Sequence, residues 1–468
     1  MSATSVGHCA PIHNFTHTQP PGIFFVTAAP TTSAFPPTEP MPVVSGRAPW
    51  SDSFSSLRVP NFRLFAISNI LAMSGTWMQR IAQDWLVLTL SHSVTAVGIT
   101  VAMQFTPMLF FGLYGGLIVD RYSKRMLLML TQSTVGLLSV LLAVLALTHT
   151  IQVWHVWAIA FVVGLVTVVD NPTRQVFVNE LVGPRNLRNA NIINSSVFQL
   201  GGLIGPAIAG ILLDTLGAGW AFAVNAVTCV ITVLTLAALK KSKLIRSTPL
   251  PREKGQLKEG LHYIASKPAI FWSIVMVAIL SVFALTTPVI LAAFANDTFK
   301  VGASGYGLFN TLVAAGALTG GLLSTRRTGV RLRTVILMGG IWGLLQSLGA
   351  IMPNEFGFGA TLVALGVANL LFITAANSLV QMSSNIGIRG RVMSVYVLVL
   401  LGGQAIGGPI MGWIVSSYGP NVGMAVSGIV PAVAAVVIGI HLARRHELRL
   451  SVSLRGPSRR IAIVRAAH

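Results

Sequence analysis

The chain has 468 residues, of which 53% are hydrophobic and only 9% charged, with a net charge of +20. A soluble domain carries about 25% charged residues, so a mean hydropathy of +0.74 excludes a water-soluble globular fold. The excess of positive charge suits nucleic acid in principle, but its placement along the chain argues for a different origin.

Residues 1–57 include "TQPPGIFFVTAAPTTSAFPPTEPMPVV", a Pro-, Thr- and Ser-rich segment with no apolar periodicity to build a core, and they read as a disordered N-terminal tail. The first 25 residues hold no Lys or Arg and do not resemble a signal peptide. Met41 is a second candidate start beside Met1. Two cysteines, Cys9 and Cys229, supply neither a disulfide framework nor a metal cluster.

Twelve apolar stretches follow, near 62–88, 95–119, 126–149, 154–177, 191–214, 219–240, 268–293, 305–325, 334–353, 358–384, 392–417 and 422–443. Each is long enough to cross a hydrocarbon core of about 30 Å as a helix. The runs are continuous rather than alternating, which leaves helices as the spanning structure. With the N-terminus and every second loop placed in the cytoplasm, 30 of the 32 Lys and Arg are assigned to that side, three of them, Arg174, Arg185 and Arg188, counted with the connection from span four to span five. The exceptions are Lys300, in an outer loop, and Arg80, inside span one. The asymmetry predicts both termini inside and accounts for the net charge without nucleic acid, with some attraction to anionic lipid. The predicted fold is all-α: a polytopic membrane protein with a six-helix half at 58–240, a basic cytoplasmic loop at 241–267, a second half at 268–443 and a basic tail at 444–468. Within the central loop, "EGLHYIASKP" reads as a short surface helix.

Span one carries a stripe that hydrocarbon does not explain. Thr76, Gln79, Arg80, Gln83 and Asp84 recur at helical spacing on one face, with Asn69 a heptad earlier. Charge inside a membrane is costly, so this face is expected to line a cavity or meet another helix. At about 1.5 Å of rise per residue, Arg80 falls somewhat outside the midplane and Asp84 further out. Two readings stand: Asp84 and Arg80 couple transport to protons, or they form a structural ion pair near the outer mouth. Further polar candidates for a cavity wall are Gln104, Asn310, Asn369, Asn377 and Gln404.

Span five places Gly201, Gly205 and Ala209 on one ridge and Gly202, Pro206 and Gly210 on the next. Such a face lets a neighbouring helix approach closely, with a bend at Pro206. Tight packing and sealing of one side against leak both require it. The chain also repeats itself. Arg188 superposes on Arg391, and Gly205-Pro206 on Gly408-Pro409, each 203 residues apart. An offset of 205 brings Arg121 onto Arg326. Parallel repeats of this kind set a substrate cavity between two halves.

"GLIVDRYSKR" at 116–125 resembles the loop signature of the major facilitator superfamily, G-x-L-A-D-R-x-G-R-K, through Gly116, Asp120, Arg121, Lys124 and Arg125, with Ser123 in place of a glycine. "GLIGPAIAG" resembles that superfamily's antiporter signature, with Ala209 replacing one glycine, and "DNPTRQVFVNELVGPRNLRNANIINSS" is similar to the branch of enterobactin exporters, macrolide efflux proteins and transmembrane secretion effectors. The resemblance spans about 58–443 and implies that Asp120 acts as a conformational latch, with Lys124 paired to an acid on helix four, a position Asp170 fits. Thr325 stands where the second half would repeat the aspartate. Helix four is read as lacking the membrane-embedded arginine of many proton-coupled exporters in this superfamily.

No Walker loop, metal-ligand spacing or Ser/His/Asp constellation appears, so the chain is read as neither an enzyme nor a cofactor protein, with no catalytic and no metal-binding residues. The expected function is alternating-access export of a drug or amphipathic small molecule across the plasma membrane by proton antiport, by a monomer. A siderophore or metabolite exporter, an uncoupled facilitator or uptake carrier, and a non-transporting sensor or scaffold are the alternatives.

Overall fold

A backbone that crosses hydrocarbon must satisfy its own hydrogen bonds, and helix is the form this chain takes. The computed structural model describes residues 55–240, 256–324, 330–445, 448–453 and 460–465. Six helices form the first half: α1 (Pro60–Ser91), α2 (Val94–Arg121), α3 (Lys124–Leu147), α4 (Val153–Gly183), α5 (Asn186–Thr215) and α6 (Ala218–Ala238). A short amphipathic helix, α7 (Gln256–Ser266), follows where the central loop predicts one. The second half comprises α8 (Pro268–Thr298), α9 (Gly302–Ser324), α10 (Leu332–Gly349), α11 (Glu355–Ser383), α12 (Arg389–Tyr418) and α13 (Pro420–Arg445). Two short antiparallel strands, β1 (Leu448–Ser453) and β2 (Arg460–Arg465), lie in the tail. The expected disordered tail and most of the basic central loop, with Thr325 and Arg326, lie outside the described residues.

Eleven of these helices are long and apolar enough to cross a membrane. The twelfth long helix is α1, at 32 residues, whose hydropathy is diluted by the polar stripe. Large apolar side chains point outward: Phe110, Leu137, Val227, Leu234, Leu344 and Val436 are all more than half exposed. Water would not tolerate so extensive an apolar face, and lipid requires it. The chain is a multi-pass membrane protein.

Two boundaries differ from the sequence expectation for local reasons. Gly183 takes φ 67° and so turns α4 directly into α5, a left-handed conformation that glycine adopts without steric cost, and Pro184 follows it. Span seven is broken at residues 284–286 and ends in a π turn at Phe294–Thr298. Pro288 has no N–H for the carbonyl of Ala284, and its ring excludes that carbonyl from the helix. The repeat is visible in the backbone as well: Gly217 and Gly419, 202 residues apart, both take positive φ to close the last hairpin of each half.

The halves meet along two related seams at the end of the bundle where α1 stops and α2 starts. On one, α2 lies against α12: Thr95 bonds Ser416, and a methyl group on Gly412 would lie 2.8 Å from the Val94 carbonyl and 3.0 Å from Thr95 Cα. On the other, α5 lies against α9: a methyl on Gly307 would lie 2.6 Å from the Pro206 carbonyl and from Gly210 Cα. Backbone-to-backbone approach of this kind excludes any side chain beyond glycine.

Candidate functional site

The polar stripe of α1 divides into three parts, each facing different partners. At the level of Asn69 it joins a network buried within the first half. Arg174 on α4 donates from Nε to Asp170 Oδ2 at 2.5 Å and from Nη1 to Asn69 Oδ1 at 2.5 Å. Asp170 Oδ1 also accepts Thr131 Oγ1 at 2.7 Å and Gln132 Nε2 at 3.2 Å, while Asn69 Nδ2 donates to Asn194 Oδ1 at 3.1 Å. Arg174 and Asp170 are 7% and 8% exposed. Two expectations are corrected here. Helix four does carry a buried arginine, one that a loop count assigns to the cytoplasm. Asp170 is its partner rather than that of Lys124, whose Nζ lies 3.8 Å from Glu180.

Midway along α1, Thr76, Gln79, Arg80 and Gln83 line a cavity of about 30 Å³ together with Gln104, Val135, Val163, Gly164, Thr167 and Asn225. Gln79 anchors its floor: Oε1 accepts Ser139 Oγ at 2.6 Å and the Asn225 amide. Gln104 Nε2 donates to Gln83 Oε1 at 3.4 Å, leaving Gln83 Nε2 buried without a partner. The Arg80 guanidinium sits between two aromatic faces, 5.4 Å from the centroids of both Trp77 and Phe105. Contacts of this kind contribute from about 0.5 to 2 kcal/mol depending on desolvation. Among the described residues, Arg80 has no carboxylate within 4.0 Å, so it makes no contact ion pair with Asp84, although the Asp84 charge one turn away still acts on it through space.

At its far end the stripe reaches the other half. Asp84, 3% exposed, accepts the Tyr306 hydroxyl at 3.4 Å through Oδ2, and its Oδ1 is buried without a partner. Trp85 stacks on Tyr306 with centroids 5.7 Å apart. Tyr306 precedes the glycine that packs on α5, so acid, ring stack and glycine seam form one contact.

The remaining expected residues fall in different places. Gly201 and Gly205 pack on α1, a methyl on Gly205 lying 2.6 Å from the Ser74 carbonyl, while Gly202 faces the Trp77 ring, Ala209 is fully buried and Gly210 faces α9. Arg125 donates to the carbonyls of Leu236 and Ala237, at 2.6 Å each, capping α6. Gly116 and Asp120 are half-buried and Arg121 exposed at the end of α2. Asn310 donates to its own helix at Tyr306 O, Asn377 bonds Gln381, and Asn369 Oδ1 is buried without a partner. None of these, nor Gln404, lines the cavity of α1. Tyr306, Trp77, Phe105, Glu180, Arg174, Thr167 and Asn225 escape the sequence reading. Asp170 and Arg174 repeat the i,i+4 spacing of Arg80 and Asp84, a signal that was available.

Residues 51–463 match the family model described as transmembrane secretion effector. The enterobactin exporter EntS of Salmonella typhi is 25% identical over 401 residues, covering 85% of this chain and 95% of the relative. EntS of Escherichia coli O1:K1 is 25% identical over 405 residues, covering 84% and 94%. The nucleoside transporter NupG superposes with a TM-score of 0.65 at 13% identity, covering 82% of this chain and 99% of that one. A bacterial homologue of the iron transporter ferroportin, in its inward-facing state, gives 0.65 at 16%, covering 81% and 98%. The fold is theirs, and their cargo is not transferred by it. With its helical architecture and a family match over nearly its whole length, the chain belongs to the transmembrane secretion effector family of major facilitator transporters, which are not enzymes.

Proposed function

We propose that this transporter exports an amphipathic small molecule across the plasma membrane by alternating access and proton antiport, acting as a monomer with both termini cytoplasmic. The name of its curated relatives favours a secreted metabolite of siderophore type over a drug. The observation that carries the coupling is the Asp84–Tyr306 contact: a carboxyl with one unpartnered oxygen sits in the seam that must part when the closed end opens. With the termini cytoplasmic, that closed end is the outer one. Opening it exposes Asp84 to the outside and closing it returns the group to the interior, so a proton taken up on one side is carried past the barrier. Outward movement of substrate in the complementary half-cycle completes the exchange. The basic loops and lipid-facing surface support this orientation in a bilayer with anionic lipid.

The test is purified protein in liposomes with an imposed pH gradient. Concentrative uptake into inverted vesicles that collapses when the gradient is discharged supports antiport. Gradient-independent equilibration identifies a facilitator, and absence of flux for every compound tried identifies a sensor or scaffold.

A further inference from the structure

Arg80 poses a question that proton coupling does not answer. It is a guanidinium with five N–H donors, half-buried in the membrane-spanning part of the first half, with no carboxylate within 4.0 Å among the described residues. The acid one turn away is turned toward Tyr306 in the other half. The cation instead lies over the Trp77 and Phe105 rings, 5.4 Å from each centroid, and it lines the cavity. Beside it, Gln83, 2% exposed, keeps its Nε2 donor buried and unpartnered on the cavity wall. A buried amide without a partner is destabilising, and a membrane-embedded guanidinium with no anion in direct contact more so, the through-space attraction of Asp84 offsetting only part of it. What this cavity lacks is an acceptor, and a negatively charged one.

We propose that Arg80 and Gln83 bind the oxyanion head group of an amphipathic ligand, a carboxylate or a phosphate, through a bidentate guanidinium contact and the free Gln83 amide. Planar, two-point recognition of this kind is what arginine supplies and lysine does not. A cavity of about 30 Å³ admits a head group and not a drug-sized molecule, whose site takes about 300 Å³ or more. The apolar body of the ligand therefore stays outside this recess. The inference rests on the export reading only in taking that ligand as cargo. A lipid phosphate offers the same chemistry as a soluble amphiphile.

The experiment uses full-length protein in phosphatidylcholine nanodiscs and three probes of matched chain: N-dodecanoylglycine, its methyl ester and dodecyltrimethylammonium. The carboxylate is expected to bind about tenfold or more tighter than the ester, and the cation more weakly than both. Arg80→Gln removes that preference, and Arg80→Lys retains part of it. Equal binding of acid and ester by the wild-type protein overturns the proposal without any variant having to fold, as does an undiminished preference in Arg80→Gln. Adding phosphatidylglycerol to the nanodiscs assigns the source. Arg80-dependent competition makes the site a lipid site, and unchanged affinity makes it a site for the soluble amphiphile. Flux separates the two readings: a vesicle that accumulates the ester or the cation keeps the exporter and loses the oxyanion, whereas selective binding without flux of any probe keeps the oxyanion site and loses the exporter.

Discussion

Tyr306 on α9 donates its hydroxyl to Asp84 on α1 across the boundary between the two halves, at 3.4 Å. The contact sits one residue before Gly307, which packs on Pro206 and Gly210 of α5. Chemistry that changes Asp84 therefore acts on the same few residues that hold this end of the bundle shut. Such a two-state element is the physical requirement for coupling one event to another.

Asp84→Asn is expected to abolish concentrative export driven by a pH gradient while leaving downhill exchange and substrate binding in place. Asp84 makes no contact with Arg80 within 4.0 Å, yet its charge acts on the guanidinium one turn away, so the loss of stability should comprise one hydrogen bond, about 0.5 to 1.5 kcal/mol, and a weaker hold on Arg80. Tyr306→Phe should keep the proton site and loosen the seam, raising the accessibility of cysteines placed near residue 84 from the outer side. Full pH-driven export by a stable Asp84→Asn protein would remove Asp84 from the coupling.

The glycine ridges of α5 make a prediction that separates packing from gating. Gly205→Leu collides with the α1 backbone inside one half, and overpacking of that sort costs about 1 to 3 kcal/mol, so thermal stability should fall and transport with it. Gly210→Leu collides with α9 across the seam. The protein can relieve that strain by opening, so a shift toward outer accessibility with little loss of melting temperature is expected. Identical behaviour of the two variants, in stability and accessibility alike, would contradict this division.

Asp120→Asn is expected to bias or slow the alternation between the two states with the fold intact, read by cysteine accessibility on both sides of the membrane. Glu180→Gln, which removes the acid near Lys124 within the same half, should alter that balance less. An unchanged inward-to-outward ratio and normal transport in Asp120→Asn would rule out a latch at that position.

Span count, the repeat and the small-residue ridge were legible in the sequence because each depends on chemistry that recurs locally: apolar length, glycine spacing, the placement of Arg and Lys. The partners of α1 were not, since helical periodicity tells which side chains share a face and says nothing of which helix covers it. Thus Asn69, Arg80 and Asp84 read as one stripe and are three environments: a polar network with Arg174, an aromatic cradle with Phe105, and a contact with Tyr306, which lies 222 residues away in the chain from Asp84. Arg174 was misplaced for a related reason. Its charge alone marks a loop, and only the acceptors Asp170 and Asn69, from two helices, explain how α4 continues past it to Gly183.

That network supplies the last prediction. Asp170 is the acceptor of bonds from Arg174, Thr131 and Gln132, and no other carboxylate lies within 4.0 Å of Arg174 among the described residues. Asp170→Asn therefore leaves a buried guanidinium with only the Asn69 carbonyl and the new amide oxygen to face, a change that costs about 3 to 5 kcal/mol when one member of a buried pair is removed. Expression and melting temperature should both drop. Replacing both members, Asp170→Asn with Arg174→Gln, removes the stranded charge, and neutral amides of similar size can still bridge Thr131, Gln132 and Asn69, so stability should return most of the way. Transport by that stable double variant then decides what the pair is for. Recovery of pH-driven export along with stability marks the pair as a structural brace of the first half. A protein that is as stable as wild type and yet uncoupled would move the proton pathway from the seam at Asp84 to the interior of α4.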